Sequence, residues 1–468
     1  MLELILDTKK VKKTNIFFFA ESLICLKKLD FLKLEKPILD KIKKIIKEKK
    51  SETYKFFLGN TQFENLFFFY YSGKEKKTIL EFLGEHISEL PDNFTIIPNE
   101  EKNIQILLDI SILGRYKFQK YLSEKKEDKI YMLLEDEKQK KNVKKRLKTL
   151  ENIIFTRDLV ETPASDLSPE IFANIIKNTK FKNTKVKILG PKDVEKKGMG
   201  LLYGVGKGSI NKPYFVILEK IVDKKLPTIG LVGKGIIFDT GGLDIKPEEW
   251  MYPMKDDMGG AATVFGIMKE LDEKDLKVNL VAGIPLAENS VSGESYRPSD
   301  ILTSYSGKTV HIGNTDAEGR LVLGDAVAYL SKNYDLTSII SLATLTGACL
   351  FALGFRYAGM VGDDKKMINK ILEYSKDNFE KYVELPFDDY FIEKVKSKIA
   401  DLDNRTKGIY AGPSMGGAFI YNFLTKGEKF VHIDIAGVVQ NRYETYGLYP
   451  QSATGFGVES LSNILSDL

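Results

Sequence analysis

The chain has 468 residues, of which 43% are hydrophobic and 29% are charged, and its formal net charge is +5. This length allows two or three domains, and the composition is ordinary for a globular protein rather than a disordered or fibrous one. Its two cysteines, Cys25 and Cys349, lie far apart and form no CxxC pair. This argues against a disulfide framework or a zinc finger and favours a reducing compartment.

The N-terminus lacks the apolar region of a signal peptide, and no apolar run approaches transmembrane length. We therefore expect a cytoplasmic protein with no membrane contact.

The first third of the chain is basic. Residues 1–150 contain 32 Lys and Arg against 23 Asp and Glu, whereas the remainder is slightly acidic. One interpretation of this surplus of positive charge is contact with nucleic acid. The lysines alternate with acids and form no continuous stripe, which is typical of a solvated surface.

Residues 1–135 are predicted to form a small N-terminal α/β domain. Short apolar runs at 15–20, 63–71, 95–98 and 104–113 alternate with charged helical stretches such as 39–50. The aromatic runs at 17–19 and 67–71 are interpreted as buried strands. Residues 136–155 are highly charged and helix-prone, which predicts an exposed linker helix.

Residues 156–468 are predicted to form a larger α/β domain. Near-continuous apolar strands are expected at 186–189, 214–219, 228–238, 278–285, 338–345 and 430–436, with helices at 261–271, 320–332 and 416–424. This alternation predicts a mixed central sheet covered by helices on both faces.

Four acids lie where this pattern places strand ends and helix starts. Asp239 closes the strand at 228–238, Asp257 precedes a glycine-rich helix start, and Asp316 and Glu318 precede the helix at 320–332. Ligands gather at the carboxyl ends of strands in such sheets. Carboxylates suit Mg²⁺ or Mn²⁺ and accept Zn²⁺, and two divalent ions would neutralise four of them. The alternative is that acids such as Asp257 and Glu318 simply favour helix N-termini.

Two lysines accompany these acids, and we expect different roles for them. Lys234 lies within an apolar strand, where burial near cations would lower its pKa and make it a neutral amine ligand. Lys246 lies in the following loop and would stay charged, able to stabilise an oxyanion. A surface ion pair is the alternative for Lys246.

The three histidines, His86, His311 and His432, are interpreted as hydrogen-bonded structural residues. The chain contains no HExxH motif, and its glycine-rich stretches match no phosphate-binding loop.

The motif NTDAEGRL at 314–321 is similar, at every position, to the most diagnostic motif of the leucyl aminopeptidase (cytosol aminopeptidase) family. The runs VGKGIIFDTGG at 232–242, IKP at 245–247 and MKDDMGGAA at 254–262 resemble further motifs of that family. The resemblance covers roughly residues 150–468. Glu161 and Ser165 stand where asparagines are usual in the family, which puts detail of the substrate pocket in doubt.

The resemblance implies a two-metal exopeptidase. One ion would be held by Lys234, Asp239, Asp257 and Glu318, and an exchangeable one by Asp239, Asp316 and Glu318. A metal-bridging water would attack the first peptide carbonyl, Lys246 would stabilise the gem-diolate, and Arg320 would hold a bicarbonate that shuttles the proton. Residues implied to line the pocket for the first side chain are Met254, Thr344, Gly347 and Ala453.

The implied ions are Mn²⁺ or Zn²⁺, with Mg²⁺ or Co²⁺ as substitutes, and the implied substrates are short peptides with a free N-terminal leucine or other apolar residue. The resemblance also implies a homohexamer, a dimer of trimers. One alternative is a DNA-binding or regulatory protein that uses the basic N-terminal domain. A different two-metal hydrolase, such as a phosphoesterase, is a further alternative, but the chain lacks the histidines that such sites commonly use. An inactive scaffold is disfavoured because every residue of the implied ligand set is present.

Overall fold

The computed structural model describes residues 2–7, 14–58, 63–73, 78–405 and 410–468. This part of the chain divides into two compact units. The first contains the residues up to Ile154 together with Asn441–Ser452, and the second contains Phe155–Gln440 and Ala453–Leu468. Among the described residues, no helix combines the length and the apolar character needed to span a membrane.

The first unit is built on a mostly parallel sheet. Its strands are β1 (Leu2–Ile5), β2 (Thr14–Ala20), β3 (Glu52–Phe57), β4 (Phe63–Tyr70), β5 (Asn93–Ile97) and β6 (Lys129–Leu133). Its helices are α1 (Lys36–Glu48), α2 (Ile79–His86), α3 (Ile104–Ile112) and α4 (Glu137–Glu161), the last of which continues into the residues of the second unit. The strand order is β1-β6-β5-β2-β4-β3, and only the β3–β4 pair among these is antiparallel in the described sheet.

The aromatic runs of the first unit are buried strands, as predicted. Phe17, Phe18 and Phe19 are almost fully buried because β2 lies in the middle of the sheet, between β4 and β5. The apolar run at 104–113 is instead the helix α3. A short apolar run cannot be assigned to strand or helix by its composition alone.

The segment Asn441–Ser452 returns to the first unit from near the end of the chain. Gly84 and Gly447 lie so close together that a Cβ on Gly84 would be 2.4 Å from the backbone nitrogen of Gly447. Within the segment, the side chain of Asn441 donates hydrogen bonds of 2.9 Å to the carbonyl oxygens of Glu444 and Tyr449. No pattern in the sequence predicts this return.

The second unit contains a larger mixed sheet. Its strands are β7 (Lys185–Leu189), β8 (Tyr214–Lys220), β9 (Thr228–Gly233), β10 (Gly235–Asp239), β11 (Asn279–Asn289), β12 (Ile301–Thr303), β13 (Thr309–His311), β14 (Ser338–Ala343), β15 (Tyr357–Gly362), β16 (Lys381–Glu384), β17 (Leu402–Asp403) and β18 (Lys429–Asp434). The main sheet has the order β16-β15-β18-β14-β9-β11-β8-β7, with β10 beside β11, while β12, β13 and β17 form a small separate sheet. The predicted mixed α/β fold is confirmed.

Helices accompany these strands along the chain. They are α5 (Pro169–Asn178), α6 (Pro191–Lys196), α7 (Gly200–Gly206), α8 (Glu248–Met251), α9 (Gly259–Leu271), α10 (Gly319–Asn333), α11 (Gly347–Leu353), α12 (Lys365–Asp377), α13 (Asp389–Lys394), α14 (Gly412–Tyr421) and α15 (Val458–Ser466).

Helices α9 and α10 cover opposite faces of the central strand β9. A Cβ on Gly230 would lie 3.7 Å from Leu330 of α10, whereas one on Gly233 would lie 2.4 Å from the carbonyl oxygen of Gly260 in α9. Positions three apart on a strand point to opposite faces. The strands between these helices are therefore buried on both faces, which explains their near-continuous apolar sequences.

The predicted single strand at 228–238 is wrong, because the chain breaks at Lys234 into β9 and β10. At this residue the backbone N–H donates to the carbonyl oxygen of Leu342 at 3.0 Å, and the carbonyl accepts from the N–H of Ala261 at 2.7 Å. After the break, β10 pairs with the far end of β11. The start of α9 thus replaces a neighbouring strand as the partner of the Lys234 carbonyl, while the N–H still bonds to β14.

Lys220 stabilises the other end of α9. Its buried Nζ donates to the carbonyl oxygens of Leu271, Asp272 and Lys274 at 2.5, 2.9 and 2.6 Å. The last carbonyl groups of a helix have no partner within the helix. The ammonium group of Lys220 donates hydrogen bonds at this end of α9.

We predict that Lys220→Met lowers the free energy of unfolding by about 3 kcal/mol, because methionine keeps the apolar stem but loses three hydrogen bonds donated by a buried ammonium group. Urea unfolding followed by circular dichroism measures the loss. Lys187→Met on the exposed face of β7 is the matched control and should change stability by less than about 0.5 kcal/mol. Equal effects of the two substitutions would contradict the capping role.

Candidate active site

The first part of the candidate site is the turn after β10. Asp239 ends this strand, and its Oδ1 accepts a hydrogen bond of 2.8 Å from the backbone N–H of Gly241. Gly241 has a φ of +85°, in the left-handed region that favours glycine. The N–H of Lys246 then donates to the carbonyl oxygen of Thr240 at 2.9 Å, so the loop returns Lys246 to the end of β10.

Asp257 lies just before α9. Its side chain is buried, and its Oδ1 accepts a hydrogen bond of 2.7 Å from Oγ1 of Thr344, which directly follows β14. The N-cap residue of α9 is Met258. The carboxylate of Asp257 is therefore used for a contact between two segments rather than as the N-cap of the helix.

Asp316 and Glu318 lie on the turn that leads into α10. Glu318 is the N-cap residue of this helix, but its side chain makes no capping hydrogen bond. The alternative that this acid serves as a helix cap is therefore not supported. Candidate ligand oxygens of Asp239, Asp316 and Glu318 all lie within 4.8 Å of one another.

Lys234 is buried between two of the acids. Its Nζ lies 2.7 Å from Oδ1 of Asp257 and 2.9 Å from Oε1 of Glu318, and it donates to the carbonyl oxygen of Thr344 at 3.0 Å. A Cβ on Gly319 would lie 2.6 Å from this Nζ, so a larger residue there would displace the lysine.

The pKa of Lys234 depends on what surrounds it. Burial lowers the pKa, but the carboxylates of Asp257 and Glu318 outweigh burial and hold it above the ordinary value for lysine. The lowered pKa expected from the sequence requires the positive charge of nearby cations.

Lys246 connects the other two acids. Its Nζ lies 2.9 Å from Oδ2 of Asp239 and 2.6 Å from Oδ1 of Asp316. Burial disfavours its charge, but the carboxylates of Asp239 and Glu318 outweigh burial and raise its pKa, so the side chain stays protonated. Because the ammonium group is mostly buried, the alternative of a surface ion pair does not hold.

We call Lys234, Asp239, Lys246, Asp257, Asp316 and Glu318 the acid–lysine cluster. Its four carboxylates outnumber its two lysines, so the fully ionised cluster has a net charge of −2. Burial, followed by the charge of Asp239, raises the pKa of Glu318 to about 7. Burial also raises the pKa values of Asp257 and Asp316.

The donor set of the cluster fits divalent cations. Oδ2 of Asp257 and Oε2 of Glu318 are buried, and within the described residues neither accepts a hydrogen bond. Buried carboxylate oxygens are costly without a compensating partner. Carboxylate ligands with unmet negative charge suit Mn²⁺, Mg²⁺ or Zn²⁺.

Arg320 lies in the first turn of α10, two residues after Glu318. Its side chain is buried, and its Nη1 donates to the carbonyl oxygen of Asn404 at 3.1 Å. Burial lowers the pKa of Arg320 to about 10, so the guanidinium group remains charged at neutral pH.

The three histidines make contacts away from the acid–lysine cluster. His86 belongs to the first unit, Nδ1 of His311 lies 3.1 Å from a carboxylate oxygen of Asp403, and Nδ1 of His432 lies 3.3 Å from Oγ of Ser341. Burial lowers the pKa of His432 to about 3, so its ring is neutral at physiological pH.

Three of the residues predicted to line a substrate pocket are linked to the cluster by a contact or by a short stretch of chain. Thr344 contacts Asp257 directly. Gly347 is the exposed first residue of α11, three residues after Thr344. Met254 is half-buried and begins the short helical turn that ends just before Asp257.

The fourth predicted pocket residue, Ala453, is buried and is linked to this region through Glu161. The N–H of Ala453 donates to Oε1 of Glu161 at 2.7 Å, and Oε2 of Glu161 lies 2.7 Å from Nζ of Lys255. Lys255 directly follows Met254 in the chain, so Glu161 connects the segments that carry two predicted pocket residues.

Asn289, at the end of β11, is a site residue to which the sequence analysis gives no role. Its Nδ2 donates to Oδ1 of Asp239 at 2.8 Å and to the carbonyl oxygen of Thr315 at 3.0 Å. The hydroxyl of Tyr296 donates to the same carbonyl at 2.7 Å. A polar residue at the carboxyl end of an apolar strand is the signal in the sequence that indicates this position.

Comparison with known proteins identifies the family of the chain. A family model described as "Cytosol aminopeptidase family, catalytic domain" matches residues 154–462. The chain belongs to the cytosol aminopeptidase family. The expected resemblance is confirmed, and the chain is a metal-dependent aminopeptidase, a hydrolase that acts on peptides.

Relatives of the family agree with this assignment over most of the chain. A probable cytosol aminopeptidase of Persephonella marina is 40% identical over 373 residues, which cover 78% of this chain and 75% of the relative. One of Caulobacter vibrioides is 38% identical over 364 residues, covering 76% and 73%. Among solved structures, the bottromycin maturation enzyme BotP in complex with Mn has a similar fold, with a TM-score of 0.82 at 24% identity over 97% of this chain and 99% of that chain.

We predict that Asn289→Ala weakens Mn²⁺ binding by about 10- to 100-fold, because the variant loses the amide that orients Asp239 and the turn before Asp316. Calorimetric titration of the metal-free protein with Mn²⁺ measures the affinity. The matched control is Asn279→Ala at the other end of β11, since Asn279 donates in the same way to the carbonyl oxygens of Asp223 and Leu226. The control should lose stability and keep its metal affinity, and equal affinity losses in both variants would refute the role of Asn289.

Proposed function

We propose that the acid–lysine cluster holds two divalent metal ions and is the catalytic centre of the aminopeptidase. Lys234, Asp239, Asp257 and Glu318 would hold one ion, and Asp239, Asp316 and Glu318 would hold the other. The observation that carries the proposal is the net negative charge of a buried cluster in which oxygens of Asp257 and Glu318 have no hydrogen-bond partner among the described residues. Mn²⁺ or Zn²⁺ suits these ligands, and Mg²⁺ or Co²⁺ could replace them.

Lys246 is proposed as the catalytic cation. When bound, the two ions would activate a water molecule and polarise the first peptide carbonyl. The protonated Nζ of Lys246, held between Asp239 and Asp316, would stabilise the negative charge that develops on the carbonyl oxygen. A cation that is already fixed in place contributes without reorganisation during the reaction.

Arg320 is proposed to hold a bicarbonate ion, which supplies a proton carrier when bound. Support comes from the buried and charged guanidinium group two residues after Glu318, since arginine pairs well with planar oxyanions. The described histidines His311 and His432 contact other groups. The proposal therefore assigns the role of general base to bicarbonate rather than to a histidine.

The proposed substrates are short peptides with a free N-terminus and a leucine or other apolar first residue. In its neutral form, the free N-terminal amine is a nitrogen donor that suits the proposed divalent ions when they are bound. Met254, Thr344, Gly347 and Ala453 are proposed to line the pocket for the first side chain, and the contacts of Thr344 with the cluster support this for one wall.

A homohexamer, a dimer of trimers, and a cytosolic location are also proposed. Membership of the family supports both, and the relatives are named as cytosol aminopeptidases. Light scattering after size-exclusion chromatography tests the assembly, and a mass other than six chains would exclude it.

The DNA-binding alternative gains no support from the structure. Two arginines of the first unit are paired with acids: Arg146 lies 2.7 Å from Asp109, and Arg115 lies 2.7 Å from Asp128. Paired cations have less charge to offer to phosphate groups.

We predict that chelation abolishes hydrolysis of leucine p-nitroanilide and that Mn²⁺, Zn²⁺, Co²⁺ or Mg²⁺ restores it. Glu318→Gln should lower activity at least 100-fold and reduce the metal content measured by mass spectrometry, because the variant replaces a carboxylate shared by both proposed ions. The control is Asp325→Asn on the same helix, whose buried carboxylate accepts hydrogen bonds from the N–H groups of Leu201 and Leu202. Full metal content in the Glu318 variant would overturn the proposed ligand set.

We predict that Lys246→Met lowers kcat about 100- to 1,000-fold and leaves two metal ions bound, because one stabilising donor is lost while the carboxylates remain. Stopped-time assays give kcat, and metal analysis of the same sample checks occupancy. Loss of metal together with activity would assign Lys246 to metal binding instead.

A further inference from the structure

The turn before α10, which carries Asp316, is fastened by an asparagine from a distant segment of the chain. The side chain of Asn404 is buried, and its Oδ1 accepts hydrogen bonds from the backbone N–H groups of Gly313 and Asn314 at 2.8 and 3.2 Å. Its Nδ2 donates to the carbonyl oxygens of Asn314 and Ala317 at 2.7 and 3.3 Å. We call these four hydrogen bonds the Asn404 clamp. They hold the backbone on both sides of Asp316, and none of the four involves an ionisable side chain.

Two short strands bring Asn404 to this turn. β13 and β17 are parallel neighbours, with His311 opposite Asp403. The residues that follow the two strands therefore run side by side, and the N–H of Asn404 donates to the carbonyl oxygen of His311 at 3.1 Å. Gly313 permits this close approach, because a Cβ there would lie 2.4 Å from Cβ of Arg405.

The backbone of Asn404 holds a further group of the proposed site. Its carbonyl oxygen accepts a hydrogen bond of 3.1 Å from Nη1 of Arg320, which is buried two residues after Glu318. The side chain and the carbonyl of one residue therefore connect the turn with the first residues of α10. Partners of this kind fix the orientation of metal ligands, and their loss lowers metal affinity.

We propose that Asn404 is a positioning residue that sets the affinity of the metal ion bound through Asp316. The inference rests on the proposed function, in which Asp316 is a ligand of only one of the two ions. Asp316 depends on the turn at 314–317 for its position, whereas Glu318 is also held by α10, of which it is the N-cap residue. The ion held without Asp316 takes its remaining ligands from around β10 and the start of α9. Loss of the Asn404 clamp should therefore weaken the binding of one ion and spare the other.

The same arrangement of hydrogen bonds occurs a second time in the fold, which provides a matched control. The buried Asn279 accepts from the N–H groups of Val222 and Asp223 at 2.8 and 3.2 Å. It donates to the carbonyl oxygens of Asp223 and Leu226 at 2.8 and 3.0 Å. In both places Oδ1 accepts from two successive N–H groups, and Nδ2 donates to carbonyls three residues apart. Asn279→Ala thus removes the same bonds as Asn404→Ala, but from a turn that carries none of the proposed ligands.

Calorimetric titration of the metal-free protein with Mn²⁺ tests the proposal, since the wild-type protein should bind two ions. Asn404→Ala should weaken the binding of one ion about 10- to 100-fold. The affinity for the other ion should stay within about twofold, because its ligands have other supports. Asn279→Ala should keep both affinities, although urea unfolding of the same samples should show that both variants lose stability.

A second variant and a second measurement make the test independent of the asparagine side chain. Gly313→Ala keeps Asn404 but forces the segment at 403–405 away from the turn, and it should produce the same selective loss. For both variants, hydrolysis of leucine p-nitroanilide should fall at limiting Mn²⁺ and recover as Mn²⁺ is raised. A general loss of stability would not be reversed in this way.

The outcomes separate the positioning role from the proposed function. Wild-type affinities for both ions in Asn404→Ala and Gly313→Ala would overturn the positioning role and leave the two-metal centre intact. Equal losses for both ions, or a comparable loss in Asn279→Ala, would also overturn it, because the effect would then be one of general stability. A wild-type protein that binds only one ion, or that hydrolyses no leucine p-nitroanilide at any Mn²⁺ concentration, would count against the proposed function.

Discussion

Repulsion among buried carboxylates is the constraint on which the second unit depends. Asp239, Asp316 and Glu318 have oxygens within 4.8 Å of one another, and at that distance each pair of charges costs about 3 kcal/mol at an effective dielectric constant of 20. Lys234 and Lys246 offset only part of this cost. The turns that carry the acids are therefore held in place by positive charge, and removing that charge would separate them.

The sheet explains why the acids come together although they are far apart in the chain. The ends of β10, β11 and β14 lead into the segments that contribute Asp239, Asn289 and Thr344. Parallel strands deliver their carboxyl ends to one edge, and helices that cover both faces exclude water from the strands beneath. A rigid and dry scaffold keeps the polar groups at its edge in fixed positions, as a catalytic centre requires.

Much of this could be predicted from the sequence because the signals are local. The apolar strands, the helices α9 and α10, and the acids at their ends follow from hydrophobic periodicity, and the ordered motifs indicate the family. The break at Lys234 could not be predicted, since it depends on hydrogen bonds to Leu342 and Ala261, which are remote in sequence. The roles of Asn289 and Asn404 depend in the same way on tertiary contacts, which a single sequence does not reveal.

The return of residues 441–452 to the first unit has a consequence for how the protein is made. Domains generally fold in the order in which they leave the ribosome, the N-terminal one first. Here the contact between Gly84 and Gly447 belongs to the first unit, yet its two partners are synthesised more than three hundred residues apart. The N-terminal unit therefore reaches its final packing only after almost the whole second unit has been translated, and its nascent form exposes the surface that Asn441–Ser452 later covers.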